Sequence, residues 1–155
     1  MILHLITQFC WMIAFFYDNK IFLARTKIAN FDEAYNFRRF ACWWTAADLF
    51  SILGCLFTLK KLVRMKKDLV AAEVHGRFNG REVTEVSERL ALINKQISFA
   101  QFRLVKFILN SLVSGEFAGL WKYLFSAPIG PGTQGLFGLV SGIMGVYEEM
   151  SIITG

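Results

Sequence analysis

The sequence predicts an all-α fold, a multi-helix integral membrane protein with amphipathic helices. Three observations predict it. The chain is 55% hydrophobic and 19% charged, against about 45–50% apolar and about 25% charged in soluble proteins. Its charges are gathered into blocks rather than spread. Its apolar runs carry small residues at helical intervals. At 155 residues the chain has the length of one domain, and 1–155 reads as a single membrane domain. Within it lie hydrophobic segments at 2–16, 41–59 and 129–147 and an amphipathic helix over about 84–113.

The first run, 2–16, reads ILHLITQFCWMIAFF. Its fifteen residues reach about 22 Å as a helix, short of a hydrocarbon core of about 30 Å. It therefore either extends through 17–24 or lies partly in the interface. His4, Thr7 and Gln8 are polar interruptions at helical spacing, and His4 has no neighbour that would give it chemistry. Residues 17–40 form a mixed connector in which Lys20, Arg25, Arg38 and Arg39 alternate with Phe22, Phe31, Tyr35 and Phe37. Rings and long basic stems in alternation suit a segment lying at headgroup level.

The second run, 41–59, holds one charge, Asp48. Trp43 and Trp44 open it; Lys60, Lys61, Arg64, Lys66 and Lys67 close it. An aromatic anchor at one end and a basic cluster at the other match the two interfaces of a spanning helix, and the five basic residues are expected to contact lipid headgroups. Ala47, Ser51 and Cys55 recur every fourth residue and form a small-residue face. Asp48 is the candidate intramembrane polar site. It is also placed to reach the interface or pair with Arg38 or Arg39.

Residues 73–81 read as a loop, with Asn79-Gly80 marking a turn. Val83, Val86, Leu90, Ile93, Ile97, Ala100, Leu104 and Phe107 then follow at spacings of three and four, with Thr84 as N-cap and Glu85 and Glu88 in the first turn. The pattern fits docking on a partner helix, self-association, or lying on the membrane. Residues 104–127 are more apolar but broken by Lys106, Glu116 and Lys122, and Pro128 and Pro131 stop that stretch.

The last run, 129–147, contains Gly135, Gly138, Gly142 and Gly145. On a helix turning about 100° per residue they share an arc of about 80°. Each glycine costs a helix interior about 1 kcal/mol relative to Ala. In lipid, a bare glycine face lets two backbones approach closely, and Gly138-xxx-Gly142 and Ser141-xxx-Gly145 are small-xxx-small pairs. The expected role of these five residues is helix packing and oligomerisation. The small face of 41–59 and the helix from Thr84 are the partners within the chain that the sequence offers.

Charge narrows the partners. Between Lys60 and Lys106 there are eleven Lys or Arg against five Asp or Glu, which points to anionic lipid. No nucleic-acid motif accompanies the basic balance, so no nucleic-acid partner is expected. Cys10, Cys42 and Cys55 lie in apolar runs without metal or redox spacing. No phosphate-binding loop, zinc motif or nucleophile elbow is present. The reading is a non-enzyme with no catalytic residue, cofactor or metal.

The order of segments, with 109–112 (LNSL), 120–124 (LWKYL) and 135–148 (GLFGLVSGIMGVYE) at its end and 16–26 (FYDNKIFLART) near its start, resembles the peroxin-11 family of peroxisomal and glycosomal membrane proteins. The resemblance covers most of the chain and rests on short apolar words and a glycine pattern. Members of that family are longer, and the resemblance implies that their N-terminal third, with its membrane-curving amphipathic helix, is not part of this sequence. It implies a multi-pass protein of the peroxisomal or glycosomal membrane, promoting organelle proliferation, membrane elongation and fission. Its partners would be membrane lipids, further copies of itself and the organelle fission machinery. The alternative is a small channel or metabolite-passing protein, using Asp48, Lys106, Glu116 and Lys122 as polar groups inside the bundle. The positive-inside rule puts the basic stretch from Lys60 in the cytosol, whereas the resemblance implies that both termini face it.

Overall fold

The computed structural model describes the backbone of residues 2–74, 80–126 and 128–154, and the side chains of these apart from 73–74, 80–84, 125 and 152–154. The described residues form α1 (Ile2–Arg25), α2 (Glu33–Val74), α3 (Gly80–Phe117), α4 (Leu120–Phe125) and α5 (Pro131–Thr154). They contain no strand, as the sequence predicts.

Several boundaries differ from the sequence reading. The first apolar run continues through Tyr17 to Arg25, giving a helix of 24 residues. The connector over 17–40 is consequently a short turn between two helices. It closes when the Lys27 amide donates to Ala24 O and the Ile28 amide to Leu23 O, with Lys27 in the left-handed region at φ 57. Asp32 starts α2 by accepting from the Tyr35 amide (2.9 Å), an acid at a helix N-terminus. The run 41–59 is embedded in α2, whose 42 residues extend well past the basic cluster. The loop over 73–81 narrows accordingly: α2 ends at Val74 and α3 starts at Gly80, while His75 and Asn79 lie outside the described residues. Thr84 is therefore within α3 and does not cap it. Pro131 opens α5, where its missing N–H would have had no helical partner.

The chain divides into two units, Met1–Ile52 with Lys106–Gly155, and Leu53–Val105. In the first unit, Trp11 meets Trp44 (6.4 Å between ring centroids) and Arg25 meets Glu33 (2.8 Å), so α1 and α2 run antiparallel. Phe37 against Phe117 (5.3 Å) and Asp48 against Ser114 set α2 and α3 antiparallel in turn. Glu116 against Ile129 and Lys106 against Glu148 do the same for α3 and α5. The result is an up-and-down four-helix arrangement with α4 as a short appendage.

The buried residues of this unit are small or polar: Cys10, Ala14, Ala41 and Ala47, with Thr7, Thr45, Ser111, Ser114 and Ser141. Among its described buried residues the larger aliphatics are Ile21 and Val113. Most of these hydroxyls are satisfied by their own helix. Thr7 donates to Leu3 O, Thr45 to Ala41 O, Ser111 to Ile108 O and Ser141 to Gly138 O. They can therefore face another helix without leaving an orphaned donor. The large apolar residues point outward: Leu5, Phe9, Met12 and Phe16 on α1, Leu136, Leu139, Ile143 and Val146 on α5.

In the second unit the buried residues are Cys55 and Leu62 on α2 and Val86, Ile93 and Ala100 on α3. The intervals are seven on both helices, and half-buried Leu90, Ile97 and Leu104 sit four residues after each α3 position. That is a heptad seam. The helix runs four residues beyond each end of the expected 84–113.

Among the described residues one helix, α2, is long and apolar enough to cross a membrane, and only 28% of its apolar window is buried. The sequence reading offered three hydrophobic segments. The apolar parts of α1 and α5 are shorter, cut by Asp18, Lys20 and Arg25 in α1 and by Gln134, Glu148 and Glu149 in α5.

Among the described glycines the tightest contact is at Gly115, where an added Cβ would lie 2.6 Å from Trp121 Nε1, and that indole N–H donates to Leu112 O (2.8 Å). Gly119, at φ +75, provides the reversal that folds α4 back. Gly115→Ala is expected to displace the indole and lower stability by about 1–3 kcal/mol, the usual range for overpacking. The loss should largely disappear in a Trp121→Ala background. Thermal unfolding of the detergent-solubilised variants, followed by circular dichroism, checks both.

Candidate functional site

The first unit's interior carries ionisable groups, and two helix pairs hold them. Asp48 sits on the buried face of α2 that also carries Ala41 and Thr45, and its side chain is 0% exposed. Ser114 Oγ on α3 donates to Asp48 Oδ2 at 3.4 Å. Asp48 Oδ1 has no partner among the described residues, and the same holds for the buried Trp44 Nε1, one turn earlier, and Gln134 Nε2 on α5. Asp48 does not pair with Arg38 or Arg39. Helical rotation sends those two outward, where both are exposed and the Arg39 guanidinium lies over the Tyr35 ring (5.2 Å).

Lys106 on α3 forms an ion pair with Glu148 on α5, the two side chains 15% and 8% exposed. The Lys106 ammonium also lies over the Phe107 ring (4.9 Å). Two turns and more along α3, Glu116 Oε2 accepts from the Ile129 amide at 3.0 Å, fastening the entry to α5. These contacts fix the register of α5 on α3. Of the four polar groups named for a channel interior, Asp48 is buried, Lys106 is paired inside, Glu116 is bound to backbone and Lys122 is exposed.

The glycine face behaves differently. A Cβ added at Gly135, Gly138, Gly142 or Gly145 would meet nothing within 4 Å. Among the described residues, neither the small residues of α2 nor α3 packs against it. Ser141, expected on the same face, is buried in the unit, with Gly135 and Gly142 exposed and Gly138 and Gly145 between. The reason is angular. The inward stripe of α5 follows Ser141 and Glu148, seven apart, and the glycine arc lies beside it. The basic residues Lys60, Lys61, Arg64 and Lys67 are exposed on α2 in the second unit, and Lys66 is half-buried.

No group of three metal-ligating side chains occurs among the described residues. Sequence reasoning missed the Lys106–Glu148 pair. The available signal was Lys106 among Leu104, Val105, Phe107 and Ile108, and the adjacent Glu148 and Glu149 at the end of the last apolar run. The Ser114 contact had no such signal.

The family model described as peroxisomal biogenesis factor 11 (PEX11) matches residues 1–150 of the chain. No curated protein and no solved structure matches it.

Removing one member of a buried ion pair leaves the other uncompensated, at a cost of about 3–5 kcal/mol, whereas replacing both with apolar residues is often neutral or stabilising. Lys106→Met alone is therefore expected to lower the unfolding midpoint strongly, and Lys106→Met with Glu148→Leu to recover most of it. Thermal unfolding in detergent distinguishes the two.

Proposed function

The chain belongs to the peroxisomal biogenesis factor 11 family, and from that premise we propose that it promotes peroxisome proliferation, membrane elongation and fission through helix self-association and lipid contact. The observation that carries this reading is the family match over nearly the whole chain. The packing of the first unit supports a membrane setting, since small and hydroxyl residues lie inside and Leu, Ile and Phe outside, the arrangement that suits helices surrounded by lipid. In this reading α2 crosses the bilayer and α1 and α5, each of 24 residues, cross beside it, their exposed apolar faces towards acyl chains.

The mechanism is physical. Gly135, Gly138, Gly142 and Gly145 leave a strip of bare backbone on α5, and a second copy of the chain is the partner that covers it, aided by Ser141 fixing the adjoining inward stripe. Lys60, Lys61, Arg64, Lys66 and Lys67 engage anionic headgroups. Assembly along the membrane then bends or elongates it and presents the organelle to its fission machinery. Where the organelle is a glycosome the same chemistry applies. The channel reading draws on the unpartnered Asp48 Oδ1. Solute flux in liposomes that disappears with Asp48→Asn would support it over assembly.

Gly142 is exposed with open space around it, so Gly142→Leu should leave the monomer's unfolding midpoint unchanged or slightly higher. The same variant is expected to lose most chemically crosslinked oligomer and to fail to restore organelle number in cells lacking the protein. Crosslinking like that of the natural chain, in both Gly142→Leu and Gly138→Leu, would contradict self-association through this face.

A further inference from the structure

One end of the first unit is built from two turns that meet. Phe37, in the second turn of α2, packs against Phe117, the last residue of α3 (5.3 Å). This brings the α1–α2 turn and α4 to the same end. Large apolar side chains stand out from it into open space. Ile28 is 71% exposed and Tyr123 86%, and Phe22, Tyr35 and Leu124 are exposed as well. Burying such side chains is favourable, and no other described part of the first unit covers them.

Basic groups sit among these rings in fixed relation to them. Lys20 Nζ lies over Phe16 (4.7 Å), Tyr17 (5.8 Å) and Phe31 (5.3 Å). The Arg39 guanidinium lies over Tyr35. Lys27, Arg38 and Lys122 are exposed, and none of the three meets a carboxylate among the described residues. The acids at this end are differently engaged. Glu33 is paired with Arg25, Asp32 caps α2 and Glu116 holds the Ile129 amide; exposed Asp18 is left. Six basic residues thus face four acidic ones, and three of the four acids are committed to the fold. The opposite end carries Lys106, Glu148 and Glu149 and has no such excess.

We propose that the end of the first unit formed by the α1–α2 turn and α4 is a collar that binds the net-negative headgroups of anionic phospholipids. The chemistry favours lipid over an acidic protein surface. The collar mixes exposed rings and aliphatic tips with cations, and it stands where the apolar sides of the bundle stop, so a headgroup can meet Lys27, Arg38, Arg39 and Lys122 while acyl chains meet Ile28 and Tyr123. This site is separate from Lys60–Lys67, which belong to the second unit. It rests on the reading of the first unit as a membrane bundle.

The test is binding of fluorescent phosphatidylserine to the full chain in detergent, with phosphatidylcholine as the neutral comparison. The natural chain is expected to prefer phosphatidylserine. A surface cation contributes about 1 kcal/mol to such binding, so Arg38→Gln with Arg39→Gln should weaken it by about fivefold per charge. Tyr123→Ser should weaken it too, and all three substitutions are on exposed side chains and should leave helicity and the unfolding midpoint unchanged. Neutralising Lys60, Lys61, Arg64, Lys66 and Lys67 should leave this component in place. The collar is overturned if its variants bind like the natural chain, if the two lipids bind equally, or if polyglutamate is captured where phosphatidylserine is not. Alkaline carbonate extraction separates the two claims. A chain released by carbonate whose collar variants still lose phosphatidylserine keeps the collar and loses the membrane bundle; a chain retained by the membrane whose collar variants bind normally loses the collar alone.

Discussion

The buried residues of the first unit are mostly small, among them Cys10, Ala14, Ala41, Ala47 and Ser114, and few of the chain's many Phe, Leu and Ile side chains lie inside it. Bundles stabilised in water do the reverse, because burial of large apolar surface drives them together. Here the contacts that hold the helices together are dispersion between small side chains, hydroxyls turned back on their own helices, and a few polar links. A surrounding medium that accepts Leu, Ile and Phe would therefore be part of the fold's stability, and in the proposed membrane setting lipid supplies it.

Within that frame the internal charges act as pins. An ion pair between Lys106 and Glu148 is costly to form in a dry interior and more costly to half-break, so it favours one register of α5 on α3 over a slipped one. Asp48 and Ser114 link α2 to α3 in the same way, though the carboxylate keeps one oxygen unpartnered. Once α5 is pinned along Ser141 and Glu148, its glycine strip has to lie beside the inward stripe and remain uncovered. The exposure of that strip is thus a consequence of how the monomer packs.

Much of this was readable from residue order. The heptad seam of α3 at Val86, Ile93 and Ala100 and the small-residue stripe of α2 both follow from spacing, because a helix fixes which residues share a face. The helix ends were less legible. Asp18, Lys20 and Arg25 looked like a connector because their polarity resembles that of a loop, yet they continue α1 as charged residues readily do at a helix end. Thr84 has the chemistry of a cap, but α3 already runs through it. Which residues meet across helices was least legible. Nothing local to Asp48 announces Ser114, and the rotation of α5 that separates Ser141 from its neighbouring glycines depends on Glu148 finding Lys106, 42 residues away.

The central claim is that the apolar exterior of the first unit faces lipid. Nitroxide labels placed singly at Phe9, Leu139 and Ile143 in the full chain, reconstituted into phosphatidylcholine liposomes, test it by their collision rates with oxygen and with a water-soluble nickel chelate. Oxygen partitions into acyl chains and the chelate stays in water. The account predicts high oxygen and low chelate accessibility at all three positions. Chelate accessibility exceeding that of oxygen at these positions would contradict it.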